Sequence, residues 1–160
     1  MVIEPNVVDM PGFTLVGPAI STRLLASEIP ALWGQFAPRI DEVVAIAEPG
    51  VSYGVMENFD ALRSTLDYMA AVSVTSTERI PVGMVGKAIG PSTYAVFQAT
   101  LSTLGDVYGH IFNTWPNQAS YEQVRAPYFE RYDETFDPGN AASKVDIYIP
   151  VRPRIVQAAV

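Results

Sequence analysis

The chain has 160 residues, of which 49% are hydrophobic and 17% charged, and its formal net charge is −7. It contains no Cys and one His, which excludes disulfides, thiolate metal sites and cysteine nucleophiles and disfavours histidine-rich zinc sites. Its ten basic residues are scattered, so we expect no direct binding to nucleic acid, which requires clustered Lys and Arg.

Length and hydrophobicity favour one domain over residues 1–160 with more apolar material than a small core needs. A ligand cavity or a homodimer interface would absorb the excess. The N-terminus lacks a basic region followed by an apolar run, and no apolar segment reaches membrane-spanning length. The default expectation is therefore a cytoplasmic protein without membrane contact.

The first half of the chain predicts short elements, because Pro and Gly punctuate it throughout. Residues 13–21 are typical of a strand. Ser27 is a suitable cap for a helix that Pro38 ends or kinks, and a second helical stretch is expected over residues 39–47. Further strands are expected over residues 52–58, 66–75 and 82–89.

The second half repeats this order of elements. A strand is expected over residues 94–98, followed by a helix that Ser102 or Thr103 caps and Pro116 ends. One face of that helix carries apolar and aromatic residues at helical spacing, namely Leu104, Tyr108, Ile111 and Trp115. Two strands, over residues 127–132 and 147–151, complete the unit and are joined by the turn-rich segment 137–140.

We interpret the chain as a duplicated βαββ unit, with pseudo-repeats at about 10–90 and 91–155. Short antiparallel strands with one main helix per half predict an α+β fold, in which two helices cover one face of a mainly antiparallel sheet. A groove between two such halves would form a central ligand cavity.

Glu130 is the best candidate for the anchor of a ligand site. Side chains alternate along a strand, so Tyr128, Glu130 and Tyr132 share one face. A carboxylate between two tyrosines is unfavourable to bury unless a cation or a hydrogen-bond donor meets it. The alternative is a surface carboxylate that pairs with Arg131 or Arg125.

The order and spacing of several segments resemble the GyrI-like small-molecule-binding domains, also called AraC-type effector-binding domains. The resemblance spans nearly the whole chain and rests on residues 53–55, 89–97, 108–116, 127–132 and 147–151. It implies a duplicated βαββ fold with a central cavity, and a glutamate in the penultimate strand that meets cationic or amphipathic compounds. That glutamate maps to Glu130, and Tyr148 on the last strand would flank it.

Aromatic residues are the candidates for the cavity wall, although each is equally compatible with ordinary core packing. They are Tyr53, Tyr68, Phe97, Phe112, Trp115 and Tyr148. Tyr148 would lie close to Glu130 if the last two strands pair as a hairpin. Glu57 holds the corresponding place in the first half and is either a second cavity acid or a solvated strand residue.

The leading hypothesis is a non-enzymatic binder of amphipathic, cationic small molecules, without cofactor, metal or assigned catalytic residue. No segment that precedes the effector domain resembles a helix-turn-helix, so a stand-alone binding domain without a DNA-binding domain is expected. One alternative is a small-molecule hydrolase of the same fold in which Glu130 activates water. Another is a gyrase inhibitor-like protein-interaction module.

Overall fold

The structure is a computed structural model that describes residues 3–23, 26–117 and 119–155. A ten-stranded antiparallel sheet dominates it. The strands are β1 (Asn6–Met10), β2 (Phe13–Gly17), β3 (Ala19–Arg23), β4 (Ser52–Asp60), β5 (Thr65–Val74), β6 (Val85–Ile89), β7 (Ser92–Thr100), β8 (Tyr121–Gln123), β9 (Tyr128–Tyr132) and β10 (Lys144–Pro153).

Two main helices accompany the sheet, α1 (Glu28–Phe36) and α2 (Leu104–Gly109). A 3-10 turn over Ala37–Glu42 follows α1, whereas α2 continues into a π-helical turn over His110–Thr114 and a 3-10 turn over Trp115–Asn117. None of the helices in the described part of the chain is long and apolar enough to cross a membrane.

The strand order is symmetric about the β4–β9 pair. The main path runs β1-β7-β10-β9-β4-β5-β2-β6, while β3 extends along β5 and β8 pairs with the end of β10. From the centre outward, β4 is followed by β5 and β2, and β9 by β10 and β7. Each half is therefore a strand, a helix and two further strands, which confirms the predicted α+β fold of paired βαββ units.

Both helices pack on the same face of the sheet. Leu32 and Phe36 of α1 are buried in a core cluster with residues of β5. Val107 of α2 and Ile111 of the following turn are buried in a second core cluster beneath α2. Tyr128 of β9 contacts both clusters and so lies where the two halves meet. The opposite face carries a third core, whose largest members include Leu15, Tyr53, Tyr94 and Phe129.

In the first half of the chain, three predicted elements differ from the structure. The strand expected over residues 13–21 is two strands, because the chain bends at Pro18, whose carbonyl accepts from the Ala70 amide. The helix expected over residues 39–47 stops early. Val43 is extended, Ala45 adopts a φ of 60°, and Ile46 instead forms a bridge to Val74. The strand expected from residue 82 begins at Val85, after a turn.

Candidate functional site

The site is built around Glu130 in the middle of β9, at the junction of the two halves. Its cross-strand neighbours are Gly54 on β4 and Ile147 on β10. Glu130 is 8% exposed and points to the helix-covered face, together with Tyr128 and Tyr132. The alternation predicted for this strand is therefore correct, and the carboxylate lies in the interior rather than on the surface.

Two tyrosine hydroxyls donate hydrogen bonds to the Glu130 carboxylate. Tyr108 of α2 donates to Oε2 at 2.5 Å, and Tyr132, two residues along β9, donates to Oε1. Each carboxylate oxygen thus has one donor from an aromatic side chain. The arrangement links the second helix directly to the strand at the centre of the sheet.

The electrostatic setting of Glu130 disfavours its charge. Removal from water raises the pKa of the Glu130 carboxyl above its ordinary value, and the hydrogen bonds from Tyr108 and Tyr132 oppose that shift. Burial and the neighbouring carboxylate charge also raise the pKa of both Tyr108 and Tyr132. The phenols therefore stay protonated and act as donors.

The first half of the chain supplies a second layer of aromatic side chains. Tyr68 of β5 is 4% exposed, and its hydroxyl accepts a hydrogen bond of 2.7 Å from Trp33 Nε1 of α1. Trp33 also packs edge-on against the Tyr132 ring, with centroids 5.6 Å apart. Helix α1 thus contacts the same cluster that α2 reaches through Tyr108.

Gly54 makes room for these rings. A Cβ atom at this position would lie 2.5 Å from the Tyr68 hydroxyl and 3.3 Å from the Tyr132 hydroxyl. The absent side chain beside Glu130 lets both phenols converge above the strand. Any larger residue at this position would require the Tyr68 side chain to shift.

Phe112 covers the cluster on the outside. Its ring stacks on Tyr108 at a centroid distance of 6.0 Å and an interplanar angle of 7°, and it meets Tyr128 edge-on at 6.1 Å. Phe112 is 43% exposed, so it is the part of the cluster nearest to solvent. The place between the two halves is thus occupied by rings, and a ligand must displace some of them to reach Glu130.

No Lys or Arg in the described part of the chain forms an ion pair with Glu130. The alternative pairing with Arg131 is wrong, because Arg131 projects to the other face of β9 and donates to Glu48 at 2.9 Å. Glu48 also accepts from Tyr53 at 2.6 Å and from Ser73 at 2.8 Å. Glu130 is consequently a buried acid whose partners are hydroxyls.

The structure brings together three of the seven predicted site residues: Glu130, Tyr68 and Phe112. Phe97 and Trp115 lie on the same face but pack against each other, with ring centroids 5.3 Å apart, in the core beneath α2. The side-chain hydrogen bonds to Glu130 come instead from Tyr108 and Tyr132.

Tyr53 and Tyr148 lie on the opposite face from Glu130. The last two strands do pair as antiparallel neighbours, yet Ile147, not Tyr148, is the cross-strand partner of Glu130. Tyr148 stacks on Phe129 at 4.7 Å, and Tyr53 meets the same ring at 5.6 Å. The expectation that Tyr148 flanks Glu130 is therefore wrong, because a register difference of one residue reverses the face.

Four residues of the cluster were not among the predicted site residues: Trp33, Tyr108, Tyr128 and Tyr132. The signal for Tyr128 and Tyr132 was present in the alternation of β9, and that for Tyr108 in the inward face of the second helix. Trp33 carried only the helical spacing of α1. The sequence gives no indication that its indole would reach β5.

These features define a class of protein: a paired βαββ domain with a buried acid among aromatic rings, as expected of effector-binding domains. The family model for the integron-associated effector binding protein Cass2 matches residues 6–151. The chain belongs to this family.

Known relatives agree with this membership. The transcriptional regulator BrlR of Pseudomonas aeruginosa is 29% identical over 152 residues, which cover 93% of this chain and 56% of BrlR. The chain thus spans about half the length of that regulator. An integron cassette protein from the mobile metagenome of Vibrio cholerae shares the fold, with a TM-score of 0.65, 20% identity, and coverage of 93% and 96% of the two chains.

A second solved structure, that of SAV2435 bound to tetraphenylphosphonium, has a TM-score of 0.71 and 20% identity. The match covers 93% of this chain and 94% of SAV2435. At this identity the similarity establishes a common fold. Membership of the effector-binding family rests on the family model that matches residues 6–151.

Proposed function

We propose that the protein binds lipophilic organic cations at the junction of its two halves, with Glu130 as the charged anchor. The ligand would enter between α1 and α2, displace Phe112, and place its positive charge beside the carboxylate. The aromatic cluster would surround its apolar groups.

The observation that carries this proposal is a buried carboxylate with no cationic partner in the described part of the chain. Burial of an unpaired charge is unfavourable by several kcal/mol, and hydrogen bonds offset only part of that amount. A ligand cation would supply the missing charge. In an environment of low dielectric constant, its attraction to Glu130 is much stronger than it would be in water.

The surrounding rings suit the same ligand class. Faces of Tyr and Trp attract cations by about 0.5–2 kcal/mol each, with the higher value for desolvated contacts. Tyr68, Tyr108, Tyr128, Tyr132 and Trp33 all lie around the carboxylate. A cation with delocalised or shielded charge also needs no acceptor of its own, so the two tyrosine hydrogen bonds to Glu130 can persist.

The bound tetraphenylphosphonium of SAV2435 gives independent support, since that ligand is a lipophilic cation held by a protein of this fold. Tetraphenylphosphonium is therefore the first probe to test, with neutral triphenylphosphine oxide as its control.

The test compares the Kd values of both probes for the unmodified protein and for Glu130→Gln by isothermal titration calorimetry. We expect the substitution to weaken binding of the cation by at least about tenfold, equivalent to about 1.4 kcal/mol, and to change binding of the neutral probe little. Equal losses for both probes, or none for either, would contradict the anchor role. Thermal unfolding of the variant establishes that it is folded.

A further inference from the structure

A cavity of about 370 Å³ lies on the face of the sheet opposite Glu130, where β6 passes close to β3, β4 and β5. Its volume lies within the range of small-molecule sites. Tyr68 of β5, which belongs to the site proposed above, is also among the residues that line this cavity. Because side chains alternate along a strand, its neighbours Asp67 and Met69 project to the other face of the sheet and form the cavity floor.

The cavity floor consists of two rows of directly opposed residues. One row is apolar and joins Ala19, Met69 and Val55 across β3, β5 and β4. The next row is polar and joins Ser21, Asp67 and Glu57 across the same strands. Directly opposed residues project to the same side of a sheet, so the floor has one apolar end and one acidic end.

Two carboxylates are thus cross-strand neighbours at the acidic end. Opposed Cβ atoms lie about 4.5–5.5 Å apart, and like charges in that relation destabilise a sheet. Lys87 of β6 reaches across the cavity and forms an ion pair with Glu57 Oε1. One cation thereby offsets one of two negative charges, and a single negative charge remains.

Asp67 is held in place as an acceptor. Ser21 Oγ donates to its Oδ1 at 2.6 Å, and Asn58 Nδ2 donates to its Oδ2 at 2.8 Å. Asn58 has a φ of 56°, a left-handed conformation that Asn tolerates, at an irregularity of β4 after Glu57. The hydrogen bonds from Ser21 and Asn58 lower the pKa of the Asp67 carboxyl, so it is ionised at neutral pH.

We propose that this cavity is a second binding site, for a small primary ammonium ion that carries a short apolar group. The ammonium group lies between Asp67 and Glu57 and donates to their free lone pairs, and the apolar group lies against the exposed Val85, next to the buried Val55 and Met69. Such a ligand neutralises the remaining negative charge and relieves the repulsion between the two acids. A neutral ligand would change neither the remaining charge nor the repulsion between the two acids.

The experiment uses benzylamine, which is protonated at neutral pH, and benzyl alcohol as its uncharged counterpart. Each is titrated into the full chain carrying Glu130→Gln, so that the Glu130 carboxylate does not attract the cation, and into the unmodified chain. Methyl NMR signals of Val55 and Met69 report the position. We expect saturable shifts of these signals with benzylamine in both chains, and at least about fivefold weaker binding of benzyl alcohol.

Variants that remove either a negative or a positive charge from the cavity complete the test. Asp67→Asn and Glu57→Gln each remove a negative charge and are expected to weaken benzylamine binding at least about fivefold, whereas Lys87→Met removes the competing cation and is expected to strengthen it. Unchanged affinity in all three variants, or shifts confined to residues around Glu130, would overturn the proposal. Because opposite signs are expected, a general loss of folding cannot reproduce the result.

Discussion

Gly54 lies directly opposite Glu130 in the β4–β9 ladder, and the space above Gly54 is filled by the hydroxyls of Tyr68 and Tyr132. A residue without a side chain in one half of the molecule thereby creates the surroundings of a charged residue in the other half.

Replacement of Gly54 by Ala tests this relationship. The new methyl group would lie 2.5 Å from the Tyr68 hydroxyl, which Trp33 also holds, so the ring has to shift. Such overpacking destabilises by about 1–3 kcal/mol. We expect a comparable loss in the free energy of unfolding by urea, together with weaker binding of tetraphenylphosphonium.

Gly34→Ala is the matched control for that substitution. Gly34 lies in α1, and a Cβ atom there would meet nothing within 4 Å. Ala is favoured over Gly in a helix by about 1 kcal/mol. The control should therefore be neutral or stabilising, and equal destabilisation by both substitutions would argue against a specific role for Gly54.

The pH dependence of stability should reveal Glu130. Burial raises the folded-state pKa of this carboxyl above its ordinary value, so between the two values the folded protein binds more protons than the unfolded chain. The corresponding stabilisation is fully present below the ordinary pKa and is lost as the pH rises through the folded-state pKa. Relative to Glu130→Gln, the unmodified protein should lose stability over that interval, as measured by urea unfolding at a series of pH values.

Binding of a cation should have the opposite dependence on pH. Because only the ionised carboxylate attracts it, affinity for tetraphenylphosphonium should fall as the pH decreases through the raised pKa of Glu130. The affinity of the Glu130→Gln variant should vary much less over the same range. A parallel decline in both proteins would assign the effect to another group.

Tyr132→Phe should raise the pH at which the affinity for tetraphenylphosphonium falls. The Tyr132 hydroxyl donates to Glu130 Oε1 and lowers the pKa of the carboxyl, so its removal leaves a buried oxygen without a donor. The expected loss of stability is about 1–3 kcal/mol. Tyr128→Phe is the control, since the hydrogen bonds to the carboxylate come from Tyr108 and Tyr132, and its transition should stay in place.

Phe112→Ala should accelerate ligand association. The ring covers Tyr108 and Tyr128 at the solvent side of the cluster, so its truncation removes a group that an entering ligand has to displace. Stopped-flow fluorescence should show a several-fold higher association rate constant for tetraphenylphosphonium. Phe59→Ala, at a residue 47% exposed near the end of β4, should leave the rate unchanged. Identical rates in both variants would exclude Phe112 from the entry route.

Alternation along a single strand was enough to predict the face shared by Tyr128, Glu130 and Tyr132. The duplicated order of elements was also accessible from the sequence, because each half carries its own helix and its own proline after it. Tyr148 was misplaced for a different reason. Its face depends on the register of β10 against β9, and no residue of either strand fixes that register in isolation.

Other differences arise from contacts between distant segments. Val43 and Ile46 follow a helix-compatible pattern, but Ile46 pairs with Val74 and draws the chain out of the helix. Likewise, Phe97 and Trp115 face inward as expected, yet their rings pack against each other and not against Glu130. A pattern in one segment shows which way a side chain points and not how far the neighbouring element lies.

The β4–β9 ladder, at which Gly54 faces Glu130, joins the two βαββ halves at the centre of the sheet. One half contributes Trp33 and Tyr68 to the cluster, and the other contributes Tyr108 and the acid itself. A guest molecule held there would touch both halves at once, so its binding energy would oppose their separation. Occupancy of the site would then stiffen the whole domain, although rings at its entrance such as Phe112 would have moved aside.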